Sequence, residues 1–200
     1  MTKINRVVFF DEVRKTLFSG KLLQSQVEGL DLFVNEYEKR NLTTQQFAYV
    51  LATVHHETGF RWQPVEEIGK GSTKPYGKRI KYDGSRYIDT KNIFFGRGYI
   101  QATWYEIYQK LTLEAKKQGK EWDFIKNPEL LLQPEPSVWS AFEGMENGYY
   151  TGRKLSDYIN PTRREYFNAR KIINGKDCAG KIMIYAELFE SALTKSTNES

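Results

Sequence analysis

Apolar residues recur along most of this chain three and four positions apart, the spacing of a helical face, and the one long interruption of that rhythm is as informative as the rhythm itself. Thr43 with Gln46 three residues on forms a capping-box pattern that predicts a helix start, and Phe47, Val50, Leu51 and Val54 then mark one face. Gly59 predicts its end by taking a left-handed conformation. A second box, Ser25 with Glu28, precedes the face Leu30, Phe33, Val34 and Tyr37. Trp104 to Lys117 is helical in pattern, Pro136 suits the first turn of a helix reaching Tyr150, and Tyr166 to Ile173 reads as a short helix ending at Asn174-Gly175. Asp177 is placed to cap a last helix with the face Tyr185, Leu188, Phe189 and Ala192. Such faces pack on one another as a mainly α core. From Phe60 to Gly98 the pattern lapses into Gly, Lys, Tyr and Arg, which predicts a functional loop with room for a small β-hairpin.

One residue sits against the pattern. At about 100° per residue Glu57 falls within roughly 20° of Val50, so it extends the apolar stripe of its helix. Gly59 leaves it in the last turn, at the edge of the core. Burial there disfavours the charged carboxylate and the carbonyl end of the helix acts the same way, so Glu57 is expected to hold a proton as a general acid does. Position alone leaves open the alternative of a glutamate paired with a Lys or Arg. Glu66, Glu67, Asp83 and Asp89 in the following loop are candidates for a second carboxylate, which glycosidic cleavage requires: one group protonates the leaving oxygen and the other activates water or attacks carbon. Farther on, in "FFGRGYIQATW", Gly96 and Gly98 bracket Arg97, and Tyr99, Gln101 and Thr103 alternate with Ile100 and Ala102. Neither phosphate-loop pattern is present. A tight turn into a short extended segment is expected, with Gln101 and Thr103 offering an amide and a hydroxyl to a sugar or a water; an ordinary turn into the Trp104 helix is the alternative.

Composition narrows the classes. Two hundred residues without a Ser/Gly/Pro linker suit a single domain over 1–200, with its core from about 9 to 193, a polar tail over 194–200 and no separate binding module. One cysteine, Cys178, excludes an internal disulfide framework and fits a reducing compartment. His55 and His56 are adjacent and diverge by about 100°, unlike zinc ligands four residues apart, so no metal site or other cofactor is expected. Asp11 and Glu12 interrupt the start too early for a secretory segment, and nothing later could span a membrane. The net charge of +5 favours a polyanionic partner, but no nucleic-acid motif accompanies it, so nucleic acid is not expected as the partner.

The ordered set "LATVHHETGFRWQPVEEIGKG", "YGKR", "FFGRGYIQATW", "KNPELLLQPEPSVWSAFEGM" and "NARKIINGKDCAGKIMIYAELFESAL" resembles glycoside hydrolase family 19, and within it the lysozyme-like branch of bacteriophage endolysins and prophage chitinases. The likeness runs from about Phe9 to Leu193. It implies a lysozyme-like α-helical fold with a long catalytic loop region. It makes Glu57 the general acid, Glu67 rather than Glu66 the base, and Thr103 a holder of the attacking water. Gln101, His56, Tyr99, Arg97 and Lys181 are implied along the sugar cleft. Two positions depart from the family pattern: Ile107 stands where an asparagine contacts substrate, and Lys181 where an arginine is usual, which keeps the charge but loses the planar fork. The expectation is an endolysin-type muramidase, inverting, with Glu57 and Glu67 in one cleft and no cofactor. It is expected to act as a monomer on peptidoglycan, made in the host cytoplasm and released to the wall by a holin-type route. Chitin is the alternative substrate, and a silent glycan-binding or virion-structural protein is the alternative of another class.

Overall fold

The box at Thr43 forms: its hydroxyl oxygen accepts from the Gln46 N–H at 3.2 Å, and the Gln46 side-chain oxygen accepts from the Thr43 N–H at 3.1 Å. Helix α3, which they open, runs Thr44–Glu57 in the computed structural model, which describes residues 3–72 and 93–198. Before it come α1 (Arg6–Thr16) and α2 (Gln24–Tyr37). After it come strands β1 (Val65–Glu66) and β2 (Arg97–Gly98), helices α4 (Tyr105–Lys117), α5 (Pro134–Asn147) and α6 (Leu155–Tyr158), strands β3 (Ile159–Asn160) and β4 (Arg163–Arg164), then α7 (Tyr166–Ala169) and α8 (Ala179–Asn198). The fold is mainly α, as the helical spacing predicts.

The sequence pattern misplaces some ends. Helix α1 was not predicted because it buries only Phe9 and Val13, too thin a stripe to read; Asn5 caps it by accepting the Val8 N–H. Helix α2 is capped not by Ser25 and Glu28 but by Gln26, whose side chain accepts from the Leu23 N–H at 2.8 Å. Asp177 does not open α8, which starts at Ala179. The polar tail continues α8 to Asn198, with Ser196 buried and its carbonyl accepting the Asn5 N–H at 3.0 Å.

The chain divides into two compact units, one of Met1–Gln63 with Met145–Ser200 and one of Pro64–Gly144. In the first, α3 is buried on nearly every side, packing on α8 and α2, while α1 and α7 also pack on α8. A helix apolar all round belongs at the centre of a core. Trp62 follows α3 into that core, edge-on to Phe33 and Phe189. A Cβ on Gly29 of α2 would stand 2.1 Å from the Trp62 carbonyl oxygen, so only glycine allows this approach.

In the second unit β1 and β2 pair antiparallel, Val65 opposite Gly98 and Glu66 opposite Arg97, which ties the two ends of the non-helical stretch together. Phe124 stacks on Trp139, whose indole N–H donates to Gln118 at 2.9 Å. Gly98, at φ 91°, would bring a Cβ within 2.8 Å of the Ser137 hydroxyl, which accepts the Tyr99 N–H. Asp83, Asp89 and the Tyr76-Gly77-Lys78-Arg79 stretch lie outside the described residues.

Candidate active site

Glu57 is the last residue of α3, and Gly59 takes the expected left-handed conformation at φ 55°, donating its N–H to the His56 carbonyl. The expectation of a carboxyl left bare at the core's edge is corrected: the paired alternative is the one that forms. Arg170, whose side chain is 3% exposed, donates from Nη1 to Glu57 Oε1 at 2.5 Å and from Nε to the Asp177 carbonyl at 2.9 Å. Arg170 is a residue the sequence reading missed. A signal existed, since Tyr166, Ala169, Arg170 and Ile172 form the buried side of a short helical stretch, and a lone cation there needs an anionic partner.

His55 and His56 separate as their divergence on the helix predicts. His55 is buried against Phe18, Phe60, Tyr185 and Phe189, and its Nδ1 accepts the Trp62 indole N–H at 3.1 Å. Burial, then the charge of His56, pushes its pKa down to about 4. His56 is half-buried beside Glu57, also shifted down, chiefly by burial, with Glu57 opposing. Lys181 is exposed on the first turn of α8 and its charge reaches His56.

The second unit separates Glu66 from Glu67. Glu66, in the ladder opposite Arg97, makes ion pairs with Lys70 at 3.4 Å and Arg97 at 4.0 Å. Glu67 turns to Gly96 instead: its N–H donates to the Gly96 carbonyl at 2.8 Å, and its Oε2 accepts the Gly96 N–H at 3.0 Å. A Cβ on Gly96 would stand 2.8 Å from Gln101 Oε1 and 3.2 Å from Glu67 Oε2, so the absence of a side chain at Gly96 leaves room for both oxygens.

The expected extended segment after Gly98 is a tight turn, closed by a bridge between Arg97 and Ala102. Two expected sugar contacts are thereby corrected. Arg97 is 4% exposed, stacked 3.7 Å over the Phe95 ring and donating to the Ile93 carbonyl and the Tyr108 hydroxyl, so it supports the turn from within. Tyr99 is 1% exposed. Gln101 spends its amide N–H groups on the Val65 and Gly98 carbonyls at 2.7 and 3.3 Å, and its oxygen faces Gly96. Thr103 is half-buried, and its hydroxyl has no hydrogen-bond partner among the described residues. Ile107 is buried in α4 rather than offered as a contact.

Of the seven non-glycine residues with positive φ among the described residues, five follow or flank these groups in sequence: Phe60 and Trp62 after Glu57, Lys70 after Glu67, and Gln101 and Trp104 on either side of Thr103; the others are Ser19 and Cys178. Strained backbone of this kind costs about 1–3 kcal/mol per residue. Among the described residues no group of three or more His, Cys, Asp and Glu is arranged for a metal ion.

No protein-family model and no curated protein matches the sequence. Solved structures do match. The crystal structure of chitinase C from Streptomyces griseus HUT6037 superposes with a TM-score of 0.61 at 16% identity, covering 98% of this chain and 78% of that one. A glutamate-to-glutamine mutant of chitinase C superposes with a TM-score of 0.57 at 18% identity, covering 98% and 95%. The chain therefore has the chitinase C fold.

Proposed function

We propose that this chain is a glycoside hydrolase that cleaves the β-1,4-linked amino-sugar backbone of peptidoglycan, an endolysin-type muramidase. Two signals support the glycosidase part of this reading: motifs that resemble glycoside hydrolase family 19 are spread from about Phe9 to Leu193, and the fold matches chitinase C over 98% of the chain. In the proposed mechanism Glu57 donates a proton to the leaving glycosidic oxygen, and Glu67 takes a proton from the water that attacks the anomeric carbon from the opposite side. Inversion needs the two carboxyl groups about 6.5–9.5 Å apart to admit that water. Thr103, with its uncommitted hydroxyl, suits a holder of the water. Glu67 is assigned as the base on the family resemblance, and its Oε2 accepts the Gly96 N–H at 3.0 Å, while Glu66 pairs with Arg97 and Lys70.

An anionic wall polymer fits the net charge of +5. Delivery to the wall is assigned to a holin-type route; among the described residues no helix is long and apolar enough to cross a membrane. Chitin is the second reading, favoured by the solved structures, which are chitinases. Mass spectrometry of fragments released from purified peptidoglycan and from chitin oligomers separates the two: a reducing-end muramic acid supports the muramidase, and release from chitin alone overturns it. Glu57→Gln keeps the shape of the side chain without its proton and should lower activity by about 10²–10⁴-fold. A variant that still binds walls but no longer clears them excludes a mere binding protein. One retaining more than about a tenth of wild-type activity sinks the acid assignment.

A further inference from the structure

Residues 153–181 hold eight Lys and Arg against three Asp and Glu, an excess of five that equals the formal charge of the whole chain, so the rest of the sequence is balanced. The excess lies within the first unit, and hydrogen bonds join its parts. The Thr151 hydroxyl donates to the Lys171 carbonyl at 2.7 Å and accepts the Arg153 N–H at 3.4 Å. Asp157 accepts the Lys154 N–H through its carboxylate and an Arg163 Nη1 N–H through its carbonyl, each at 3.0 Å. Arg153, Lys154 and Lys171 are exposed and enter no ion pair among the described residues.

This strip reaches a groove of about 330 Å³ at the start of α3, walled by Thr43 and Gln45 on one side and by residues 160–164 of the β3–β4 hairpin on the other. Among the described residues no carboxylate and no aromatic ring lines it. Local bonds fix its rim: Asn160 Oδ1 accepts both the N–H and the hydroxyl of Thr162 at 3.1 Å, and Gln46 Nε2 donates to the Ile159 carbonyl at 2.8 Å. Groups already held in place lose little freedom on binding. Arg163 pairs with Glu165 at 3.4 Å and Arg164 with Glu190 at 3.2 Å. Pairs at such solvent-exposed guanidinium groups contribute little and leave them open to a second anion. Nη2 of each arginine is engaged by no partner among the described residues. The bonds between Thr43 and Gln46 already cap that end of α3, so the attraction comes from the two arginines and not from the helix end.

We propose that this groove, with the basic strip beside it, binds the phosphodiester backbone of an anionic wall polymer at a surface separate from the glycan cleft. The 14 residues of α3 rise about 1.5 Å each, which sets the groove about 20 Å from Glu57 at the other end of the helix. Guanidinium forks match phosphate oxygens, and the hydroxyl and amide groups of the rim suit the hydroxyls of a polyol between phosphates. Nucleic acid fits less well, because its bases need a stacking face that the groove lacks. The proposal rests on the wall reading above for its partner.

Calorimetry of the full chain with soluble poly(glycerol phosphate) measures the contact directly. Co-sedimentation of the Glu57→Gln protein with purified walls measures it in place, before and after hydrofluoric acid strips their phosphodiester-linked polymer. Arg163→Gln/Arg164→Gln should weaken both at least about tenfold, the worth of one charge-assisted hydrogen bond, and leave cleavage of short neutral oligosaccharides at the wild-type rate. Arg163→Lys/Arg164→Lys keeps the charge without the fork and should recover part of the loss. Lys154→Gln leaves the hairpin intact and should weaken binding about threefold, as loss of one exposed charge does. Lys110→Gln/Lys116→Gln removes the same charge from exposed positions of α4 and should leave the affinity unchanged. An equal loss in that pair shows net charge without a site and overturns the proposal. Wild-type affinity in Arg163→Gln/Arg164→Gln does so too, as do equal binding to stripped walls and tighter binding of single-stranded DNA than of the polymer. If the chain released fragments from chitin alone the muramidase reading would fall, while calorimetry would still report whether the groove takes the polymer.

Discussion

A single methyl group at position 96 tests how Glu67 is held. The Cβ of Gly96→Ala would stand 2.8 Å from Gln101 Oε1, about 0.6 Å inside the 3.4 Å at which ordinary contact begins, and 3.2 Å from both Glu67 Cβ and Oε2. Gly96 is not among the glycines with positive φ, so alanine brings no backbone strain and the perturbation is steric alone. Neither neighbour yields freely. Gln101 is tied through Nε2 to the Val65 carbonyl at 2.7 Å, and Glu67 through Oε2 to the Gly96 N–H at 3.0 Å. A misplacement of about 1 Å at a catalytic group can cost about 10²-fold, so the overlaps of about 0.2 Å at Glu67 and 0.6 Å at Gln101 should lower kcat by about 3- to 15-fold. Overpacking should cost about 1–3 kcal/mol of stability, which leaves a folded protein to assay. Reducing-end release from purified walls gives kcat, and thermal unfolding followed by circular dichroism checks the fold. Near-wild-type kcat in a folded Gly96→Ala protein would show that the space beside Gly96 does not position the base.

Glu67→Gln should be severely impaired in wall clearance and Glu66→Gln only mildly; the reverse ranking would move the base by one residue. His55, held near 4 in the fold against about 6.5 when unfolded, binds a proton in the unfolded chain but not in the folded one between those values. Its contribution is therefore complete above about pH 6.5 and lost as the pH falls towards 4, amounting to about 3 kcal/mol. His56 titrates in the same direction, so the check is comparative: urea unfolding should show a smaller loss between pH 7 and 4.5 in His55→Gln than in wild type, and equal losses would refute the assignment. Proton NMR of fresh products from a β-linked substrate should show the α-anomer first, and β-anomer first would refute inversion. Clearance of whole walls should fall at high salt, where exposed charges are screened within about 8 Å or less, while cleavage of short neutral oligosaccharides should fall much less. Equal salt sensitivity would remove charge from substrate finding.

The sequence by itself determined what lies within a few residues of its own signal. The Thr43–Gln46 box, the stripe from Phe47 to Val54 and the left-handed Gly59 place Glu57 at the end of α3, because capping and helical phase are local. The mainly α class follows from the same periodicity. What the tertiary structure decided joins residues far apart in the chain: the Arg170–Glu57 pair spans 113 positions and the Gly96–Glu67 hydrogen bond 29. No local pattern encodes such a partner, so one Glu57 sequence was compatible with both a bare carboxyl and an ion pair. The polar alternation of Tyr99, Gln101 and Thr103 misled for a related reason. A strand's alternation presumes an extended chain, whereas positive φ at Gly98 and Gln101 folds this one back onto Arg97, burying Tyr99 and leaving Thr103 half-buried. Sequence selects a residue's chemistry and its position on its own element; only packing between elements selects which of its possible partners it meets.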